Sequence, residues 1–181
     1  MQKIKKAVSA EGLVIAVLLL AQLVQGTALA REGMNVIEPA VSATEFTLMS
    51  TDGSDIKLSD YAGQFVLVNF WATWCPPCVK EMPALDNLHK HFSESNFKVL
   101  GVHAGPALAT VKTFLEKHPV DFDIVIDKKM GLSSWGVTGL PTTFLVSPDG
   151  KMIYKAVGER EWDSDEMFEF IQAIITKHKQ L

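Results

Sequence analysis

The sequence predicts an α/β fold in which a mixed sheet is sandwiched between helices. Two observations predict it. The apolar patterning runs strand, helix, strand, helix, strand, then a hairpin and a last helix. The first of these main strands, Phe65-Val66-Leu67-Val68-Asn69-Phe70-Trp71, is a nearly continuous β-favouring run, the pattern of a strand covered on both faces. The chain has 181 residues, 48% of them hydrophobic and 21% charged, which excludes disorder and collagen-like order. A domain of this size buries roughly 70% of its unfolded surface, enough for a core without metal or crosslinks. The formal net charge of −4 provides no basic field to gather phosphates, so no nucleic-acid partner is expected.

Residues 1–30 have the layout of an export signal. Lys3, Lys5 and Lys6 precede an apolar run from Leu13 to Val24, and Ala28-Leu29-Ala30 supplies an A-x-A cleavage site. Twelve helical residues rise about 18 Å, short of a hydrocarbon core of about 30 Å, so a cleaved signal is favoured over an uncleaved membrane anchor. No cysteine follows the apolar run, which excludes a lipoprotein. Residues 31–42 show no periodicity and contain Pro39, and they read as a linker or loosely ordered arm. The folded domain is expected over 43–181.

Within that domain, Phe46-Thr47-Leu48-Met49 and Ile56-Lys57-Leu58 flank Asp52-Gly53 as a small β-hairpin. After the Phe65–Trp71 strand, Val79, Met82, Leu85, Leu88 and Phe92 mark a helix, with Pro83 expected to kink it. Lys98 to Val102 is a second buried strand, and Leu108, Val111, Phe114 and Leu115 mark a second helix. Phe122 to Ile126 is a short strand and Gly131 to Trp135 a helical turn. Thr142 to Val146 and Met152 to Val157 form a hairpin around Pro148-Asp149-Gly150. Asp163 or Ser164 then caps a helix whose Met167, Phe168, Ile171, Ile174 and Ile175 share one face.

The chemistry concentrates at Trp74-Cys75-Pro76-Pro77-Cys78, where a strand ends, a short loop follows and a helix begins. Cys75 and Cys78 are the two cysteines of the chain, so any disulfide made within it joins them. Helical residues three apart are neighbours, which lets the pair cycle between dithiol and disulfide. The helix N-terminus favours Cys75 as thiolate and hence as nucleophile, while Cys78, one turn in, would be the buried resolving thiol. Structural zinc would need two histidines, and none of the five stands at H-x-x-x-H spacing, so no metal site is expected. A structural disulfide closing so tight a loop would add little stability. Capture and delivery of Cu(I) by the two thiolates is the rival of a different class.

Pro76 and Pro77 remove two backbone N–H donors that could have solvated the Cys75 thiolate, and no histidine lies between the cysteines. Strong oxidants depend on a heavily stabilised thiolate. The sequence therefore predicts a reductant with a potential nearer about −270 mV than about −120 mV.

These residues resemble the thioredoxin superfamily and, within it, the TlpA/ResA-type exported thiol–disulfide oxidoreductases. The resemblance is carried by Val68 to Cys78, by Glu81-Met82-Pro83 and by Gly136 to Phe144. It implies a thioredoxin-like mixed sheet with helices on both faces and an added N-terminal β-hairpin. It also implies that Pro141 is a cis-proline facing the cysteines, that the Leu140-Pro141 segment pairs with an extended client, and that Trp74, Pro76 and Pro77 shape the client-binding rim. Asn69 stands where thioredoxin carries a buried Asp, so it cannot take a proton from Cys78. Glu81 matches a glutamate of the TlpA/ResA type, and burial there would raise its pKa for proton transfer. By the same resemblance, the partners are protein disulfides and a membrane thiol-reductase electron donor, and the client class is apocytochrome c haem-binding cysteines or copper-site cysteines. Thr142 departs from the glutamate of the cytochrome-dedicated branch. No Gly-rich dinucleotide fingerprint is present, so no cofactor beyond the Cys75–Cys78 disulfide is expected. The protein is expected to act as a monomer, in the periplasm or tethered to the inner membrane. Trp71, Trp135 and Trp162 read as packing residues, His103 as a loop residue and Glu159-Arg160-Glu161 as a solvated loop.

Overall fold

The structure is a computed structural model that describes residues 34–178. The expected signal or anchor over 1–30 lies outside the described residues.

Among the described residues, eight strands form one open mixed sheet in the order β1-β8-β7-β4-β5-β6-β2-β3. The strands are β1 (Asn35–Ser42), β2 (Thr47–Ser50), β3 (Asp55–Lys57), β4 (Phe65–Trp71), β5 (Phe97–Ala104), β6 (Asp123–Asp127), β7 (Thr142–Val146) and β8 (Lys151–Val157). The helices are α1 (Pro76–His91), α2 (Leu108–Lys117) and α3 (Asp165–His178). Strands β4, β5 and β6 run parallel, joined by the crossovers that contain α1 and α2, whereas β7 and β8 close antiparallel on the other side of β4. All seven residues of β4 are buried, as its apolar run, interrupted only by Asn69, requires of a strand with neighbours on both edges and packing on both faces. The expected hairpin is β2–β3, and it extends the sheet beyond β6 through antiparallel pairing of β2.

Of the expected loose arm over 31–42, the described residues 34–42 are not loose. Asn35–Ser42 is a strand paired antiparallel with β8, and Met34 before it is buried. Its register slips between Val36 and Val41, around the cis Glu38–Pro39 bond. An edge strand exposed on nearly all its residues has no apolar alternation to read, and Pro39, lacking an N–H, is tolerated at an edge or bulge.

α1 buries Met82, Leu85 and Leu88, the expected stripe, and Phe92 follows at its end. Pro83 stands on the exposed face and does not end the helix. α1 meets α3 along an aromatic seam, where His91 stacks on Phe168 at 4.0 Å and Phe92 contacts it edge-on. Ser164 caps α3, its Oγ accepting from the Met167 N–H at 3.2 Å. Phe170 joins the buried face of α3, while the expected Phe168 and Ile174 are only partly covered. The turn Gly131–Trp135 sets Trp135 against Phe70 and Phe144, at 5.3 and 5.5 Å between ring centroids.

Candidate active site

The register brings three chain segments together at one end of the sheet. Phe70 pairs with Thr142, and Trp71 pairs with His103, so the loop leaving β4 lies beside the start of β7 and the end of β5. That loop carries Cys75, the N-cap of α1, in an extended backbone conformation with Pro76 and Pro77 in the first turn. Proline fits there because the first N–H groups of a helix lack intrahelical acceptors. The Cys75 N–H donates to the Ala72 carbonyl at 3.1 Å, closing a tight turn ahead of the helix.

Cys75 and Cys78 form a disulfide with Cα atoms 5.3 Å apart. Cys75 keeps 5% of its surface exposed and Cys78 none, so an incoming thiol or disulfide meets Cys75 first. Trp74, immediately before it, is 66% exposed. The Leu140–Pro141 bond is cis. The corner it makes is itself hydrogen-bonded: the Gly158 N–H donates to the Pro141 carbonyl at 2.8 Å, and the Thr142 hydroxyl donates to Gly139 O at 2.7 Å.

Glu81, one turn beyond Cys78 on α1, is buried. Its Oε1 accepts from Asn69 Nδ2 at 2.8 Å. Its Oε2 accepts from Trp162 Nε1 at 2.9 Å and from the Arg160 backbone N–H at 3.2 Å. Burial penalises the carboxylate and pushes the pKa up to about 7, while the donors from Trp162, Asn69 and Arg160 oppose the rise. Asn69 also donates to Thr143 Oγ1 at 2.9 Å, and its own Oδ1 is buried without a partner. With two strong donors on Oε2, a proton on Glu81 sits more readily on Oε1. A turn of the Asn69 amide would then present Oδ1 as its acceptor.

Trp162, the Glu159-Arg160-Glu161 loop and His103, all read from sequence as bland, enter this site. Trp162 is fully buried, as a packing residue would be, but its indole N–H is a donor to Glu81. Glu159 and Arg160 are half-buried rather than freely solvated, and only Glu161 is exposed as expected: Arg160 donates to Glu81 through its backbone, and Glu159 pairs with Lys80 of α1. His103 is a strand residue with no exposed surface, and its Nε2 accepts the Thr73 N–H at 3.1 Å. These partners lie far from the cysteines in sequence, so no local spacing announces them. Among the described residues, no cluster of three or more His, Cys, Asp or Glu is placed to hold a metal ion.

A sheet of this topology with a reversible dithiol at a helix N-terminus, above a buried titratable carboxyl, defines a thioredoxin-like thiol–disulfide oxidoreductase. Residues 39–155 match the AhpC/TSA family, and the chain belongs to it. The thiol–disulfide oxidoreductase ResA of Bacillus subtilis (strain 168) is 38% identical over 127 residues, 70% of this chain and 71% of that protein. ResA of Bacillus thuringiensis subsp. konkukian (strain 97-27) is 33% identical over 139 residues, 76% of this chain and 79% of that one. Among solved structures, a Chlorobium tepidum protein provisionally assigned as the thiol:disulfide interchange protein DsbE superposes with a TM-score of 0.71 at 30% identity. That match covers 77% of this chain and 99% of the other. Among the described residues no helix is long and apolar enough to cross a membrane.

Proposed function

We propose that this oxidoreductase reduces protein disulfides outside the cytoplasm, with Cys75 as attacking thiol, Cys78 as resolving thiol and Glu81 as the proton carrier. The Cys75 thiolate attacks one sulfur of a client disulfide, forming a mixed disulfide and releasing the other client sulfur as a thiolate, which takes a proton. Cys78 passes its proton to the Glu81 carboxylate and attacks Cys75, releasing the second client sulfur. Two electrons have then moved to the client, and the protein is left with the Cys75–Cys78 disulfide found here. A membrane thiol-reductase dithiol restores it. The observation that supports this best is Glu81, buried one turn from Cys78 with a pKa of about 7, where a carboxyl both takes and returns a proton near neutrality.

Trp74, Pro76 and Pro77 line the approach to Cys75. With the Pro141 and Gly139 carbonyls already engaged, the backbone of Leu140 is the part of the cis-proline corner that an extended client strand would pair with. The protein acts as a monomer, exported by residues 1–30 or tethered by them to the inner membrane. Its clients are cysteine pairs awaiting haem attachment or copper. A Cu(I) carrier would use the same two sulfurs, without Glu81 having a part.

Trapping tests the proposal. Cys78→Ser should accumulate client proteins covalently attached to Cys75, and Cys75→Ser should capture none. Equilibration with glutathione buffers should give a potential near about −270 mV, and a value above about −150 mV would overturn the reducing direction. Tight Cu(I) binding without insulin reduction would favour the carrier instead.

A further inference from the structure

His103, the next-to-last residue of β5, lies beside the loop that carries Cys75, with no surface exposed. A buried neutral imidazole has one N–H that needs an acceptor and one bare nitrogen that needs a donor. Nδ1 lies 3.4 Å from the Gly105 carbonyl, which can only accept, so Nδ1 carries the hydrogen. Nε2 is therefore bare, and it accepts the Thr73 N–H at 3.1 Å. Trp71 fixes the ring from the side, edge to face at 5.1 Å.

The Thr73 N–H belongs to the same planar peptide unit as the Ala72 carbonyl. That carbonyl accepts the Cys75 N–H at 3.1 Å. Orienting the plane by its N–H thus orients the hydrogen bond that sets Cys75 at the head of α1. We infer that His103 is a positioning residue for disulfide exchange: its bare Nε2 holds the Ala72–Thr73 peptide plane, and the plane holds Cys75. The inference rests on Cys75 being the attacking thiol.

The same geometry makes the contact depend on the neutral ring. An imidazolium carries N–H at both nitrogens and would turn a donor toward the Thr73 N–H. Burial works in the same sense, holding His103 below the usual imidazole range against the smaller opposing pull of the Gly105 carbonyl. The neighbouring elements bring few charges toward it. On β6, Asp127 is paired with Ala104, and its carboxylate accepts the Lys129 N–H at 3.2 Å. Beyond α2, His118 rests on Phe114, which separately meets Trp71. β4 contributes the uncharged Trp71.

The test uses the reduced full chain, with amide exchange and NMR at Thr73 and iodoacetamide alkylation of Cys75 across pH. In the wild type, the Thr73 amide resonance should follow protonation of the His103 ring below pH 6.5. His103→Leu should lose about tenfold or more of the Thr73 exchange protection and about fivefold of the Cys75 alkylation rate at neutral pH. His103→Gln, whose side-chain carbonyl can take the place of Nε2 but does not titrate, should restore both and abolish the acid step. A folded His103→Leu protein within about twofold of wild type on both readouts would overturn the inference. So would a His103→Gln protein as impaired as the Leu variant. If the Leu variant does not fold, a wild-type Thr73 amide indifferent to His103 protonation overturns it instead. A Cys75 inert in the reduced wild type overturns the attacking-thiol reading itself, a result separate from loss of the Thr73 signal.

Discussion

The indole N–H of Trp162 donates to Glu81 Oε2 at 2.9 Å, joining two buried residues 81 positions apart. The bond fastens the loop that follows β8 to the helix that carries the cysteines, and it supports the charged form of a carboxyl that burial drives toward neutrality. Trp162→Phe keeps most of the packing and removes the donor. Glu81 should then titrate above 7, and the pH dependence of disulfide exchange should shift to the alkaline side. The lost hydrogen bond to a charged group should lower stability by about 1–3 kcal/mol at alkaline pH. Carboxyl titration by NMR and urea unfolding measure the two effects; an unmoved Glu81 titration would contradict the argument.

Glu81 also makes folding stability depend on pH, with a definite sign. Its folded pKa of about 7 exceeds the ordinary 4.5, so the folded chain holds this proton more tightly than the unfolded one. The stability linked to it is intact below pH 4.5, declines as pH rises and is lost once pH passes about 7, a difference of about 3 kcal/mol. Glu81→Gln cannot ionise. The orphan Oδ1 of Asn69 can accept from the new amide if Asn69 turns over, so the variant should fold. Its stability should stay level where the wild type declines and overtake it above pH 7, while exchange with client disulfides slows. Denaturation at pH 5 and pH 9 checks this, and parallel declines in both proteins would count against it.

Elements were legible in the sequence where burial and periodicity coincide. β4 announces itself because every residue of it is covered, and α1 because its buried side recurs at helical spacing. Glu81 could be proposed because, one turn beyond Cys78, it matches a glutamate of the TlpA/ResA-type proteins that the motif resembles. Its donors could not, because Trp162 and Arg160 reach it through tertiary folding and Asn69 from a neighbouring strand. His103 escaped for a related reason: the apolar run of β5 stops at Val102, and a polar residue one step further looks like the start of a loop until the register sets it against Trp71.

Gly101 gives a prediction about packing behind the site. It sits in β5 opposite Asn69, and a Cβ added there would lie 2.5 Å from Ile124 Cδ1, 3.1 Å from Trp71 Nε1 and 3.2 Å from Phe122 Cε2. The Ile124 methyl can rotate aside, but the two aromatic rings are held by the core. Gly101→Ala should therefore cost about 1–3 kcal/mol by overpacking and lower Tm by several degrees. Because Trp71 also braces His103, the displaced indole should disturb the Cys75 loop. Thermal unfolding and the near-UV signal of Trp71 measure the change; an unaltered Tm would show that the core yields there.

The edge strand β1 provides the last test, because the sequence reads residues 31–42 as a linker or loosely ordered arm and the structure makes Asn35–Ser42 part of the sheet. Removing residues 1–42 would take away the partner of β8 and the buried Met34. The backbone groups of β8 that now pair with β1 would face water or another chain, and Tyr154, which pairs with Val36, would lose its cover on that side. β8 in turn pairs with β7, whose first residue follows Pro141, so fraying at this edge passes toward the cis-proline corner. A chain beginning at residue 43 should unfold at lower urea concentration than one beginning at residue 31, and it should self-associate through the open edge. Comparing the urea midpoints and the sedimentation of the two chains decides it. Equal midpoints would mean that β1 rests on the sheet without supporting it.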